Sequence, residues 1–191
     1  MPAAADAPIL TIRSRAALRA WLAENHSSAP SQWLASYKRH HPDYLPYEAQ
    51  VEELLCWGWI DSVTRALDGD RSMIRVAPRN PKSAWSAINK AHVARARESG
   101  AMTAAGEAKI AAAIANGMWD FLNDVDALIA PADLLAALGD ARAVYDAYPK
   151  SVKRGTLEWI KTAKTAPTRA ARIGDVVQSA GQGLRPKPFR R

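Results

Sequence analysis

The spacing of hydrophobic residues changes along this chain, and the change divides it. Up to Pro81 short alternating runs interleave with helical stretches, whereas beyond it apolar residues keep helical spacing. Pro8 to Arg13 (PILTIR) is β-branched and alternating, as a strand is. Ser14 then offers an N-cap for a helix whose Leu18, Trp21 and Leu22 share one face. Gln32 to Lys38 alternates again, with Trp33, Ala35 and Tyr37 on one side, and predicts a second strand. Pro46 suits the first turn of a helix, with Glu48, Glu52 and Glu53 toward its positive end. Val51, Leu54, Leu55 and Gly58 recur there at i, i+3, i+4 and i+7, the spacing of a core-facing helix.

Trp59 to Ala66 and Arg71 to Ala77 are two strand-like runs, and Asp68-Gly69 between them is a hairpin signal. A two-residue turn at that dipeptide pairs Leu67 with Asp70, sets Val63 opposite Ile74 and Asp61 opposite Val76, and asks a positive φ of Gly69. Ser83 is the expected cap of a helix running to about Ser99, in which Ser86, Asn89, Lys90 and Val93 form one stripe. Further helices are expected over Thr103 to Ala115 with Ile110 and Ile114 inward, Pro131 to Leu138, Asp140 to Tyr148, and Ser151 to Pro167. A last helix is expected after a Thr168 cap. The pattern is α+β. A small antiparallel sheet with packed helices fills residues 1–100, an all-helical part 101–184, and a flexible basic tail 185–191.

Charge sharpens this division. The net charge of +7 is unevenly placed: the last 42 residues carry 11 Lys and Arg against only Glu158 and Asp175, a net +9, and the first 149 a net −2; such asymmetry suits an anionic partner. One cysteine, Cys56, excludes an intramolecular disulfide, and its apolar helical setting predicts a buried structural thiol. Met1 to Pro8 shows no basic segment leading into an apolar one, and no run of about 18 apolar residues occurs. A cytoplasmic protein without a transmembrane segment is therefore expected. His40, His41 and Asp43 read as a solvated loop, because two adjacent histidines do not easily share one ion from a turn. No residue pattern requires a metal or a cofactor.

The candidate ligand-binding residues lie between the apolar helix and the one after the hairpin: Trp57, Trp59, Asp61, Arg75 and Arg79, then Lys82, Trp85, Ser86, Asn89 and Lys90. Asp61 shares a strand face with apolar side chains, so its carboxylate needs a cation or hydrogen bonds, and Arg75 and Arg79 are the candidates. A structural ion pair or turn cap explains such an aspartate more readily than catalysis does. Arg79 and Lys82 precede the expected helix N-terminus at Ser83, where free N–H groups and the dipole favour an anion. Trp85 taken alone is more readily core.

LLCWGWIDS (Leu54 to Ser62), APRNPKSAWSAIN (Ala77 to Asn89), SGAMTAAG (Ser99 to Gly106), NGMWD (Asn116 to Asp120) and YPKSVKRGTLEWIKTAKTAPTRAARI (Tyr148 to Ile173) carry a resemblance when taken together and in order. The chain resembles the bacterial YdeI/OmpD-associated, or bacteriocin-protection, family over nearly its whole length. The resemblance implies a YjbR/CyaY-like N-terminal part, hence a small antiparallel sheet packed against helices, and a role in tolerance of antimicrobial peptides or other envelope stress. It brings no catalytic residue with it.

Three readings of function follow. The first is a stress or accessory protein that binds a protein partner or small anionic ligand through the Trp, Arg, Ser and Asn cluster. The second is an enzyme with Asp61 as acid or base and Arg79 holding an anionic substrate. The third is a nucleic-acid or anionic-surface binder using Lys150, Lys153, Arg154, Lys161, Lys164, Arg169 and Arg172 of the basic region.

Overall fold

The computed structural model describes residues 9–190. Met1 to Pro8, read above for an export signal and for the first strand residue, and Arg191 of the basic tail lie outside them. The chain divides into two compact units, Met1–Asp120 and Phe121–Arg191.

In the first unit β1 (Ile9–Thr11), α1 (Arg15–Asn25), β2 (Gln32–Tyr37), α2 (Tyr47–Cys56), β3 (Trp59–Ala66) and β4 (Arg71–Pro78) are followed by α3 (Ala87–Glu98) and α4 (Ala104–Ala115). The sheet order is β1-β2-β4-β3. β4 runs antiparallel to both its neighbours, but β1 and β2 are parallel, so the sheet is mixed where a purely antiparallel one was expected. The cause is α1, which returns the chain to the end of the sheet where it started, so the next strand must run the same way. Ser14 caps that helix, its hydroxyl accepting from the Ala17 N–H.

Asp61 pairs with Val76, as the hairpin count gave, but a bulge between Asp61 and Thr64 then shifts the register by one. Thr64 rather than Val63 faces Ile74, and Val63 is exposed. The turn differs too. The amides of Leu67 and Asp68 both donate to Arg71 O, and the Asp68 carboxylate accepts from the Asp70 and Arg71 amides at 3.0 and 2.7 Å. An aspartate side chain closes this turn, so Gly69 needs no positive φ and has none. Gly58, between α2 and β3, does adopt one, at +73°.

α2 organises the unit because both sides of it are buried. Leu54 packs with Leu18, Leu22, Leu34, Trp59, Ile74 and Val76 under the sheet. Val51 and Leu55 pack with Trp85, Val93, Ile110 and Ala113 toward α3 and α4. Burying a leucine-sized side chain is worth about 1.5–3 kcal/mol, so these two clusters hold most of the unit's apolar stabilisation. α4 closes on α2 where Gly106 has no side chain, since a Cβ there would stand 2.4 Å from Cys56 O. Ala113, not Ile114, supplies the inward face; Ile114 is exposed.

α3 begins at Ala87 and is capped by Ser86, whose hydroxyl accepts from the Asn89 N–H at 3.3 Å. The expected cap at Ser83 is therefore displaced by one turn. Tertiary bonds displace it: the Trp85 N–H donates to Met118 O, and the Arg79 guanidinium donates to Ala84 O, holding residues 79–86 out of a helix.

The second unit is helical among its described residues: α5 (Asn123–Asp126), α6 (Ala132–Leu138), α7 (Arg142–Asp146), α8 (Lys150–Lys161) and α9 (Ala166–Gly181), with 3-10 turns at Gly139–Ala141 and Lys187–Phe189. Leu134, Leu138, Tyr145, Val152, Leu157, Ile160, Ile173 and Val176 are buried. Thr165 rather than Thr168 caps α9, because Pro167 fits its first turn and lets the helix start earlier. In the basic tail Lys187 pairs with Asp175, the Arg190 guanidinium donates to Ser179 Oγ, and the Phe189 ring fills the space beside Gly155. No helix is long and apolar enough to cross a membrane among the described residues.

Candidate functional site

The ten candidate residues separate into distinct places within the first unit. Trp59 is core: its indole N–H donates to His26 O at 2.9 Å and its ring meets Trp21 edge-on at 5.6 Å. Trp57 caps α2 at its C-terminus and donates to the Glu53 carboxylate. Arg75 pairs across the sheet with Trp33, and its guanidinium donates to Ser31 Oγ at 2.9 Å, away from Asp61. Asp61 instead accepts from the Tyr47 hydroxyl at 2.5 Å. Burial raises the Tyr47 phenol, and the bond to Asp61 adds to the shift, so this tyrosine stays protonated and donates.

Arg79, Trp85 and Lys90 do come together, with a partner the spacing did not reveal. The Arg79 guanidinium lies 3.8 Å from the centre of the Trp85 ring. Trp85 meets Trp119 at 5.1 Å with the planes tilted by 49°, and the Lys90 ammonium stands 5.2 Å from the centre of the Trp119 ring and 3.6 Å from the Asp120 carboxylate. The result is a ladder of cation, indole, indole and cation. Such contacts reach about 2 kcal/mol when desolvated. Lys82 is exposed nearby in sequence, with its N–H donating to the Asn80 side chain. Ser86 and Asn89 serve the α3 cap.

Arg79 is the unusual member. Only 3% of it is exposed, its guanidinium donates to Ala84 O at 2.6 Å, and its Nε and Nη1 are buried with no acceptor among the described residues. Burial pushes its pKa down to about 10, and the nearby Asp61 charge opposes this without forming a bond to it. A buried cation normally pairs with a carboxylate, and buried donors normally find acceptors. Here two donors wait for one.

Glu53 shows what full pairing looks like. It is 1% exposed and accepts from Arg15 and Arg19, both at 2.8 Å, and from Trp57 at 3.2 Å. Next to it Glu52 holds Arg15 at 2.9 Å and Arg95 at 3.1 Å. Sequence reading placed these glutamates at the positive end of α2, whereas they anchor the helix to α1 and α3.

A concavity of about 370 Å³ opens between the N-terminus of α2 and the sheet. Ser36, Ser72, Thr64 and Gln50 line it, with Tyr44 and Tyr47 at its edge. Spacing along the sequence does not single these residues out. One signal was available: Gln50 lies four residues before Leu54 and thus on a core-facing position, where a polar side chain is out of place.

Cys56 is fully buried and burial pushes its thiol up to about 11, so it holds no thiolate for attack. In the second unit the basic residues are largely taken up internally. Arg154 pairs with Asp126 and Glu158, Lys161 with Asp124, Arg169 with Asp133, and Arg172 lies over the Trp159 ring.

Residues 10–109 match the family described as Domain of unknown function (DUF8412), which is just over half of the chain. The chain belongs to the DUF8412 family. Residues 127–183 match the description Bacteriocin-protection, YdeI or OmpD-Associated, so the YdeI/OmpD-associated likeness falls on the second unit. Over the first unit, where a YjbR/CyaY-like part was expected, the match is to DUF8412. No curated protein and no solved structure matches the chain. In this DUF8412 chain the matched segment carries α1 to α3 and most of the residues discussed above, including Arg79 and Trp85.

Proposed function

We propose that this protein is a cytoplasmic accessory protein of the YdeI/OmpD-associated type, acting in tolerance of antimicrobial peptides by binding an anionic group rather than by chemistry on it. The YdeI/OmpD-associated match over residues 127–183 supports the setting. The observation that carries the binding reading is Arg79, a buried guanidinium with two unsatisfied donors stacked on Trp85. An arginine in that state offers a bidentate fork to a phosphate, sulfate or carboxylate, and the low-dielectric surroundings strengthen each bond formed. Its donors are closed over in the free protein, so the irregular segment from Asn80 to Ala84 must open for the anion to enter. The anion is a free small molecule or an acidic group on a protein partner.

The indole of Trp85 reports on the site directly. Titration with phosphate, sulfate and acetate at low salt is expected to change tryptophan fluorescence saturably, at millimolar concentration or below. Arg79→Lys keeps the charge but loses the fork, and is expected to weaken the response at least about tenfold. Fluorescence that no anion changes, or that changes equally in Arg79→Lys, refutes the reading.

A further inference from the structure

The cavity beside α2 carries a chemistry of its own, different from that of Arg79. Its floor is Gln50, which is 4% exposed. The amide nitrogen of Gln50 donates to Leu45 O at 2.9 Å and to Ser36 Oγ at 3.1 Å. Leu45 O can only accept, so the nitrogen end is assigned, and Gln50 Oε1 is left buried without a donor. Ser36 Oγ accepts that bond and keeps its own proton to give. Thr64 pairs with Ile74 and Ser72 with Ala66, two positions further along the β3 to β4 ladder and so on the same face, and both bring hydroxyls to the cavity wall.

Charge near the cavity is sparse and partly engaged. The Lys38 ammonium donates to the carbonyls of Asp68 and Gly69 at 2.7 and 2.8 Å, and the Asp61 carboxylate accepts from Tyr47. An anion would find one cation among the lining residues, Lys38, already engaged by two carbonyls, and a cation would find no carboxylate among them, so either would be desolvated for little return. Hydroxyl groups, by contrast, both donate and accept, as do the groups offered to them.

Two tyrosines complete the arrangement. Tyr44 and Tyr47, 40% and 50% exposed, present aromatic surface at the mouth. Leu45 and Ile74 give the cavity an apolar side. A ring with hydroxyls at its edge and C–H groups on its faces meets all three requirements, with polar edges on the serine, threonine and glutamine groups and apolar faces on tyrosine and leucine. The volume is at the small end of ligand cavities.

We infer that this cavity, lined by Gln50, Ser36, Thr64 and Ser72 under Tyr44 and Tyr47, binds a small neutral polyhydroxylated molecule of the sugar or cyclic-polyol class. It is a site separate from Arg79 and does not depend on that reading.

The test follows amide and side-chain chemical shifts of the full chain during titration with D-glucose, N-acetyl-D-glucosamine and myo-inositol, with glucose 6-phosphate and glucosamine as charged probes. At least one neutral probe is expected to shift the Gln50 side-chain amide and the Thr64 and Ser72 amides saturably at about 1–10 mM, with the charged probes weaker. Ser72→Leu fills the cavity and is expected to weaken the response at least about tenfold. Thr64→Val, on the exposed edge strand, removes one hydroxyl and should weaken it severalfold. Unchanged indole signals of Trp59 and Trp85 certify that both variants fold, and Arg79→Met should leave the response intact. No shift at these positions with any neutral probe, or an equal response in folded Ser72→Leu, overturns the proposal. A stronger response to the charged probes than to the neutral ones overturns it as well.

Discussion

Glu53 and Arg79 are both charged, both closed to solvent and both in the first unit, yet their surroundings are opposite. Glu53 has two guanidinium groups and an indole N–H on its carboxylate, while Arg79 has one carbonyl and an aromatic face. A buried charge that is fully paired holds structure together, and removing its partners exposes the whole desolvation cost. A buried charge left short of partners carries that cost already. It is retained at the expense of stability, which is how binding sites differ from scaffolding.

The largest effect is expected from stripping Glu53 of its partners. Arg15→Ala with Arg19→Ala leaves a carboxylate that is almost completely buried without a counter-charge, and should cost about 3–5 kcal/mol in urea denaturation. A midpoint close to the parent's would mean that Glu53 is not held by these pairs. The comparison would then fail on its structural side.

Acid sharpens the same side. Burial pushes the Glu52 carboxyl up, but bonds and charge from Arg15, then Arg95 and His92, outweigh it and hold it below its ordinary value of 4.5. A carboxylate depressed in the folded state stabilises fully above its unfolded pKa and loses that contribution as pH falls through the folded one. Stability should therefore decline as pH is lowered below about 4.5. The decline attributable to Glu52 should shrink in Arg15→Ala, since Arg15 is its foremost partner.

Arg79→Met sits on the other side of the comparison. It removes one bond to Ala84 O and the cation's attraction to the Trp85 ring, but also a buried charge with two unsatisfied donors. Loss and relief offset, so stability should stay within about 1 kcal/mol of the parent. A loss comparable with that of the Arg15 and Arg19 double variant would make Arg79 a structural residue like Glu53. Gly69→Ala is expected to do least. Gly69 has no positive φ and a Cβ there meets nothing within 4 Å, so the midpoint should move by less than about 0.5 kcal/mol.

These contrasts also show what local pattern can reveal. The core-facing repeat of α2 and the Ser14 cap were legible because each depends on residues close in sequence, whereas Asp61 meets Val76 as counted only because the bulge offsets a turn one residue different from the one expected. The bulge that moves Thr64 opposite Ile74, the Asp68 side chain that closes the hairpin and the late start of α3 at Ala87 were not legible. Each is decided by side-chain or tertiary bonds that periodicity does not encode. The site follows the same rule. Arg79 and Trp85 stood out by residue type, but Trp119 joins them from 34 positions beyond Trp85, and Tyr44, Tyr47 and Gln50 frame a cavity whose other wall is two strands away in sequence. The register of Arg75 illustrates the converse. It was a natural partner for Asp61 by charge, and the pleat places the two on opposite faces, Arg75 with Trp33 and Asp61 with Val76.

The most direct test of the central claim is the Arg79 side chain itself. Its Nε–H resonance should be resolved from solvent exchange because the group is buried, and phosphate at low salt should shift it together with the indole N–H of Trp85. Saturable movement of both signals, absent for Arg15 and Arg19, is the predicted result. An Arg79 Nε–H that stays fixed through about 10 mM phosphate, sulfate and acetate would contradict the account.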